Sequence, residues 1–188
     1  MRIVIIYESM FGNTHAIAEA IAEELQQGNE IAVIPAARAS RDLVAGADLI
    51  VVGGPTHMHG MSRANSRSSA VKIANKPGSG LVLDADATGL GLRDWFVALG
   101  ELSSYAAAFD TRLNGLAAFT GRASKGIRRE LARHGCKVIA GPESFLVTGK
   151  NQLQPGEVDH AREWGRRLAS KMATVRAAAP SRSAGRAG

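Results

Sequence analysis

The 188-residue sequence predicts an α/β protein, a doubly wound parallel sheet covered on both faces by helices. Short apolar runs rich in Val, Ile and Ala alternate with segments in which apolar residues recur every three or four positions. The runs are typical of strands buried on both faces, and the spaced segments are typical of helices that cover such strands. Because five runs are present, we expect a five-stranded sheet in three layers.

The first two elements are a strand and a helix. The run Ile3 to Tyr7 is almost entirely β-branched, which favours a strand. Ile17, Ile21 and Leu25 then recur every four residues while glutamates occupy other positions, so an amphipathic helix follows. Two further strands are predicted at EIAVI (30–34) and DLIVVGG (48–54).

The second half of the chain continues this alternation. The remaining strands are predicted at YAAAFD (105–110) and CKVIA (136–140). Helices are predicted around 93–99, around Ile127, Leu131 and Ala132 up to Gly135, and from Glu157 along the stripe Val158, Ala161, Gly165, Leu168 and Met172. The segment 63–91 is rich in Ser, Asn and Gly and is expected to be an ordered excursion. The run LAAF (116–119) is either a further short strand or a loop, because its periodicity does not distinguish them.

The charge of the chain is concentrated at its end. Six of the 23 basic residues and none of the 17 acidic residues lie in 166–188, so the rest of the chain is neutral. We therefore expect a domain over residues 1–175 and a disordered basic tail over 176–188. The tail either binds acidic partners weakly or only aids solubility. Because neither interleaved aromatic residues nor a nucleic-acid motif accompanies the charge, the composition argues against nucleic acid binding.

The composition also bounds the location of the protein. The single cysteine, Cys136, excludes an internal disulfide, and its position before a strand indicates a small structural residue. No apolar run reaches the length that crosses a membrane, and the first residues are too short for the core of a signal peptide. We therefore expect a cytoplasmic protein without a membrane span.

In a doubly wound sheet, ligands bind outside the carboxyl ends of the strands. This rule selects three turns: 9–14, 53–61 and 109–113. The first turn has no lysine of a nucleotide-triphosphate loop and no GxGxxG fingerprint. It offers the hydroxyls of Ser9 and Thr14 at the N-terminus of a helix, which suit a terminal phosphate monoester. The alternative is a plain helix cap at Asn13 or Thr14.

The same turn carries a resemblance to a known family. The pattern Ile5-Ile6-Tyr7-x-Ser9-x-x-Gly12-x-Thr14-x-x-x-Ala18-x-x-Ile21 resembles the phosphate-loop signature of the flavodoxin family, which binds FMN. The resemblance implies a sheet order of 2-1-3-4-5 and non-covalently bound FMN. It also implies three cofactor-binding segments, consisting of Ser9, Met10, Phe11, Gly12, Asn13 and Thr14, of Pro55, Thr56, His57, Met58, His59 and Gly60, and of Phe109, Asp110, Thr111 and Arg112.

The resemblance implies an electron-transfer function, with redox proteins as partners. The loop PTHMHGM is closer to loops of flavodoxin-like NAD(P)H:quinone oxidoreductases, which take NAD(P)H and a quinone as substrates. The second loop also lacks the Trp and Tyr that usually stack on the flavin of short-chain flavodoxins, and the domain is not acidic. A binding or regulatory module without cofactor is therefore the alternative from another class.

Three other groups of residues resemble functional sites. His57 and His59 flank a single residue and lack a third ligand, so a metal site is disfavoured. DADATG (84–89) opens like a calcium loop, but its twelfth position is Trp95 instead of a bidentate glutamate. Arg112 either stabilises reduced FMN, contacts the phosphate of a nicotinamide donor, or is an ordinary surface arginine.

Overall fold

The parallel sheet forms where the sequence places its β-branched and alanine-rich runs. The structure is a computed structural model that describes residues 1–116 and 120–178. Its strands are β1 (Arg2–Tyr7), β2 (Glu30–Pro35), β3 (Leu49–His57), β4 (Gly60–Met61), β5 (Tyr105–Leu113), β6 (Lys137–Val138) and β7 (Glu143–Val147). Its helices are α1 (Asn13–Leu25), α2 (Arg41–Val44), α3 (Ala64–Ala74), α4 (Leu92–Leu99), α5 (Ala123–Arg133) and α6 (Glu157–Ala177), with a 3₁₀ turn at Ala36–Arg38.

The predicted strand order is confirmed. The central strands run β2-β1-β3-β5-β6 and are all parallel, so the chain crosses over between the two sides of β1 as a doubly wound sheet requires. In this register Ile5 lies beside Val33 on one side and beside Val51 on the other. The carboxyl ends of β1, β3 and β5 therefore meet at one edge of the sheet.

Alternation along the strands creates two hydrophobic layers. Ile3 and Ile5 contribute to the layer under α1 and α6, whereas Val4 and Ile6 contribute to the layer under α4 and α5. These four side chains are fully buried. Successive side chains of a strand point to opposite faces, so one apolar run supplies both layers.

The last edge of the sheet differs from the prediction. The run 136–140 forms only the two-residue strand β6, and the unpredicted strand β7 continues the same edge by pairing with residues 109–113 of β5. Gly141 and Pro142 separate β6 from β7, and proline has no N–H to donate to a ladder. The edge thus has two short strands in succession in place of one.

Helix α3 is also unpredicted. It lies within the excursion 63–91, and only Arg67 and Ala70 on it are buried. A helix with so small an apolar face carries no period-3.6 signal in the sequence. The helices predicted around 93–99, 127–132 and from Glu157 are present as α4, α5 and α6.

Two of the predicted segments lie partly outside the described residues. Of LAAF only Leu116 is described, and of the expected tail only residues 176–178 are, with α6 ending at Ala177. The predicted stripe of α6 faces the core, where Ala161, Leu168 and Met172 are fully buried. Among the described residues, no helix combines the length and the hydropathy that crossing a membrane requires.

Candidate functional site

A cleft of about 890 Å³ opens at the carboxyl ends of the strands, where the switch-point rule locates ligands. Eleven of the predicted residues line it, namely Ser9, Met10, Phe11, Asn13, Thr14, Pro55, Thr56, His57, Met58, Thr111 and Arg112. It is therefore formed by all three predicted turns. Further walls come from α3 and from the turn that follows β7.

The turn between β1 and α1 leaves the helix N-terminus open. Gly12 is the N-cap residue, with a positive φ of 83° that favours glycine, and its N–H donates to Ser9 Oγ at 3.1 Å. No side chain caps the helix, so the alternative that Asn13 or Thr14 caps it is wrong. The N–H groups of the first turn have no partner within a helix and remain available to an anion.

Side chains of this turn bind the two neighbouring turns instead. The hydroxyls of Thr14 and Thr111 are 2.8 Å apart and buried, and Asn13 Nδ2 donates to the carbonyl oxygen of Asn151 at 2.9 Å. Asn151 has a φ of 59°, and its own Nδ2 is buried without a hydrogen-bond partner among the described residues. The site therefore holds an unsatisfied donor beside an open helix N-terminus.

The cleft is positively charged. Arg63, Arg93 and Arg112 line it, and no Asp or Glu is among the described residues that do. Backbone oxygens orient two of these guanidinium groups: Arg93 Nε donates to the Ser62 carbonyl at 3.0 Å, and Arg112 Nη1 donates to the Gly115 carbonyl at 2.8 Å. Arg112 Nε is buried without a partner among the described residues. Such a cleft favours an anionic ligand.

The turn after β3 is a tight hairpin with β4. Met58 and His59 both have positive φ, and Met58 is 91% exposed at the mouth of the cleft. His57 lies deeper, where burial lowers the pKa of its imidazole and the negative charge of Glu8 partly opposes that effect. Thr56 Oγ1 accepts the Ala123 N–H at 2.9 Å, which fixes the start of α5 beside the cleft.

Five predicted residues do not line the cleft. Gly12, His59 and Gly60 belong to its turns without facing it. The ring of Phe109 is fully buried in the layer under α1 and α6, 5.9 Å from the ring of Phe145, and it occupies the space that Gly53 leaves by lacking a side chain. Asp110 is fully buried and accepts the Ser124 N–H at 2.7 Å, near the start of α5. The side chains of Phe109 and Asp110 therefore cannot contact a ligand in the cleft.

Sequence reasoning missed two walls of the site. One is the turn after β7, with Thr148, Gly149 and Asn151. Its signal was available, since TGKN follows an apolar run and would lie at the carboxyl end of a parallel strand. The other is α3, with Arg63, Asn65, Ser66, Ser69, Ala70 and Ile73. The polar sequence of α3 gave no such signal.

A buried polar cluster connects α3 to the first turn of the cleft. The carboxylate of Glu8, at the end of β1, accepts hydrogen bonds from the Ser62 hydroxyl and from the Leu92 N–H, the latter at 2.8 Å. Arg67 donates to the Ser62 hydroxyl at 3.3 Å and to Asp94 at 2.9 Å. The cluster holds α3 and α4 against the first turn.

The remaining candidates have structural partners. Asp86 pairs with Arg38, and Asp84 lies 3.4 Å from His15. Cys136 is buried, and burial raises the pKa of its thiol to about 11. Within the described part of the chain, no three His, Cys, Asp or Glu side chains lie together as metal ligands would.

Comparisons with known proteins agree with this geometry. The sequence model of the flavodoxin family matches residues 5–165. Among solved structures, flavodoxin 1 from Bacillus cereus superimposes with a TM-score of 0.63 at 20% identity, covering 93% of this chain and 98% of that one. An archaeal flavodoxin gives 0.62 at 19% identity, with coverages of 92% and 99%. A flavodoxin, WrbA-like protein from Agrobacterium tumefaciens gives 0.52 at 19% identity, with coverages of 92% and 98%. Comparison with curated protein sequences found no match.

Proposed function

This chain belongs to the flavodoxin family, whose members bind FMN, and from that premise we propose that it holds FMN in the cleft and transfers electrons. The carrying observation is the open N-terminus of α1, where the hydroxyl of Ser9 and backbone N–H groups of the first turn face a cleft whose described lining residues include no carboxylate. Such a group of donors suits the phosphate that terminates FMN.

The residues present fit this cofactor. Asn151 Nδ2 is a buried donor that lacks a partner among the described residues, next to the predicted phosphate position. The side chains of Met58, Met61 and Leu81 offer apolar surface for a flat ring system elsewhere in the cleft. FMN requires a site that binds phosphate at one end and offers apolar contact at the other.

Bound FMN supplies the redox chemistry, and the protein supplies position and electrostatics. In this proposal Ser9 and the first turn of α1 bind the phosphate. His57 presents an imidazole whose pKa is lowered by burial, which favours its neutral form. Arg112 places a positive charge in the cleft, which favours negative charge on the bound group.

A second candidate is an NAD(P)H:quinone oxidoreductase. It is favoured by the extension of the cleft along α3 and its N-cap residue, where Arg63, Ser66 and Ser69 line it. A second substrate needs such open space, and Arg63 suits its anionic groups. Anaerobic mixing of the FMN-loaded protein with NADPH separates the candidates, since rapid bleaching of the flavin indicates the oxidoreductase and no bleaching indicates the carrier.

The visible absorption spectrum of the purified protein tests the main proposal. We expect a yellow protein, or a colourless one that becomes yellow with added FMN. FMN should also bind more tightly than FAD, because the phosphate turn closes directly on a helix and suits a terminal phosphate. Failure to bind FMN would support the cofactor-free binding module, and tighter binding of FAD would contradict the assignment of the turn.

A further inference from the structure

Helix α5 has a basic face that its surroundings do not neutralise. Lys125, Arg128 and Arg129 are exposed, and none of them forms an ion pair with a described residue. The only carboxylate on the helix, Glu130, pairs with Arg133 at 2.9 Å. Positions 125 and 129 are one helical turn apart, so their charges lie on the same side of the helix.

The arginines of α6 are different. Arg162 pairs with Glu23 at 2.8 Å and Arg166 pairs with Glu24 at 3.0 Å, both across the contact with α1. Their charges are therefore compensated within the domain, although α6 carries four arginines and α5 carries three. The contrast marks the face of α5 as a local excess of positive charge.

The helix that carries this face begins at the wall of the cleft. The Ala123 N–H at the start of α5 donates to Thr56 in the cleft wall, and His59 forms a β-bridge with Gly121 just before α5. Met58 and Leu113 line the cleft and are 91% and 53% exposed. Exposed apolar side chains thus lie beside a basic rim, which is the arrangement of a protein–protein contact surface.

We propose that the docking face, consisting of Met58, Leu113, Lys125, Arg128 and Arg129, binds an acidic redox protein. Carboxylates of the partner would lie opposite α5, and its apolar centre would contact Met58 and Leu113, next to the cofactor cleft. Charge complementarity of this kind accelerates encounter and orients the partner. The apolar centre favours a protein over a nucleic acid, whose interfaces are more polar. The redox character of the partner rests on the proposed function.

The experiment uses the full chain and an acidic [2Fe–2S] ferredoxin as the probe, with affinity measured by calorimetry at low ionic strength. We expect binding that weakens as salt is added. The double variant Arg128→Glu/Arg129→Glu should weaken it about tenfold or more. The matched variant Lys171→Glu/Arg176→Glu changes the net charge by the same amount, but on α6. It should retain most of the affinity for the ferredoxin. Circular dichroism confirms that both variants are folded.

Equal effects of the two variants would overturn the proposal, because net charge and not the docking face would then govern binding. Tighter binding of the basic protein cytochrome c than of the ferredoxin would also overturn it. The proposal would likewise be overturned if a DNA duplex bound through Arg128 and Arg129 more tightly than the ferredoxin binds. FMN titration of the same preparations is independent: a chain that lacks FMN affinity but binds the ferredoxin through α5 supports the docking face and contradicts the proposed function.

Discussion

The hydroxyls of Thr14 and Thr111 form a buried hydrogen bond of 2.8 Å between residues 97 positions apart in the chain. The bond joins the turn after β1 to the carboxyl end of β5. The Thr14 hydroxyl is therefore not a helix cap, and its loss affects two walls of the cleft at once. Ser9, by contrast, accepts a hydrogen bond only within its own turn.

Replacing Ser9 by alanine should weaken FMN binding. A hydrogen bond to a charged group contributes about 1.5–3 kcal/mol, so Ser9→Ala should reduce FMN affinity roughly 10- to 100-fold. The same loss is expected for Thr14→Ala. Riboflavin lacks the phosphate, so it should bind Ser9→Ala almost as it binds the unmodified protein. Quenching of flavin fluorescence measures both ligands.

Ser69→Ala provides the matched control, since Ser69 lines the cleft on α3 and its hydroxyl donates within that helix, to the Asn65 carbonyl at 2.9 Å. Its FMN affinity should be unchanged. Equal losses for FMN and riboflavin in Ser9→Ala would refute phosphate binding by this turn.

The bond between Thr14 and Thr111 should appear as a coupling energy. Thr14→Val leaves the Thr111 hydroxyl buried without this partner, which costs about 1–3 kcal/mol of the free energy of unfolding. Thr111→Val should cost a similar amount. The double variant removes both hydroxyls and should cost less than the sum of the single changes. Urea unfolding gives the three values, and strict additivity would show that the hydroxyls do not interact.

His57 should make stability sensitive to acid. Burial lowers its pKa in the folded protein below the ordinary 6.5, so between these two pKa values the unfolded chain binds a proton that the folded one does not. The free energy of unfolding should therefore fall as the pH decreases below 6.5. For one proton the slope is at most about 1.4 kcal/mol per pH unit.

Urea unfolding of cofactor-free protein at several pH values measures this dependence. His57→Gln should flatten it over that window. His59→Gln serves as the control, because it removes an exposed histidine of the same loop. An unchanged slope in His57→Gln would assign the acid sensitivity to another group.

Cys136 should be unreactive while the protein is folded. It is buried, and its thiol pKa is raised to about 11 by burial, so little thiolate forms at pH 7 or 8. Iodoacetamide should modify it slowly in buffer and rapidly in denaturing urea, as measured by mass spectrometry. Rapid modification of the folded protein would point to a redox role instead of the structural one.

Removal of residues after Val175 should leave FMN affinity and stability unchanged. Val175 is the last residue of α6 that packs against the core, and the sequence beyond it has no apolar stripe. Thermal unfolding and FMN titration of the shortened chain test this. A chain that ends before Met172 provides the contrast. It lacks a fully buried methionine, so its free energy of unfolding should be lower by about 2–5 kcal/mol or more.

Local patterns were sufficient for most of the fold and for the first turn. The runs at β1, β2, β3 and β5 are apolar on both faces, and α1, α5 and α6 carry stripes of period 3.6. Both signals depend only on neighbours in the chain. The phosphate turn was predicted for the same reason, because a strand, a short polar segment and a helix follow one another directly.

The other walls of the cleft depend on contacts between distant segments. Helix α3 is polar and is held by Arg67, which reaches Asp94 and the cluster around Glu8. Strand β7 alternates half-buried and buried residues and follows a Gly-Pro pair, so it lacks the continuous apolar run of a central strand. Neither α3 nor β7 has a hydrophobic pattern that by itself accounts for its secondary structure.

The sequence by itself determined the fold class and the position of the phosphate turn, because these follow from side-chain period and from the geometry of parallel sheets. The order of the main strands was predicted only through the resemblance to the flavodoxin family. Only the tertiary structure decided which side chains face the cleft. Phe109 and Thr111 are two residues apart on β5 and point to the same side, yet the first lies in the core and the second lines the cleft. Helix α1 begins beside Thr111, whose hydroxyl bonds Thr14, whereas Phe109 packs with the core side chains under that helix. These are contacts between distant segments, which no local pattern contains.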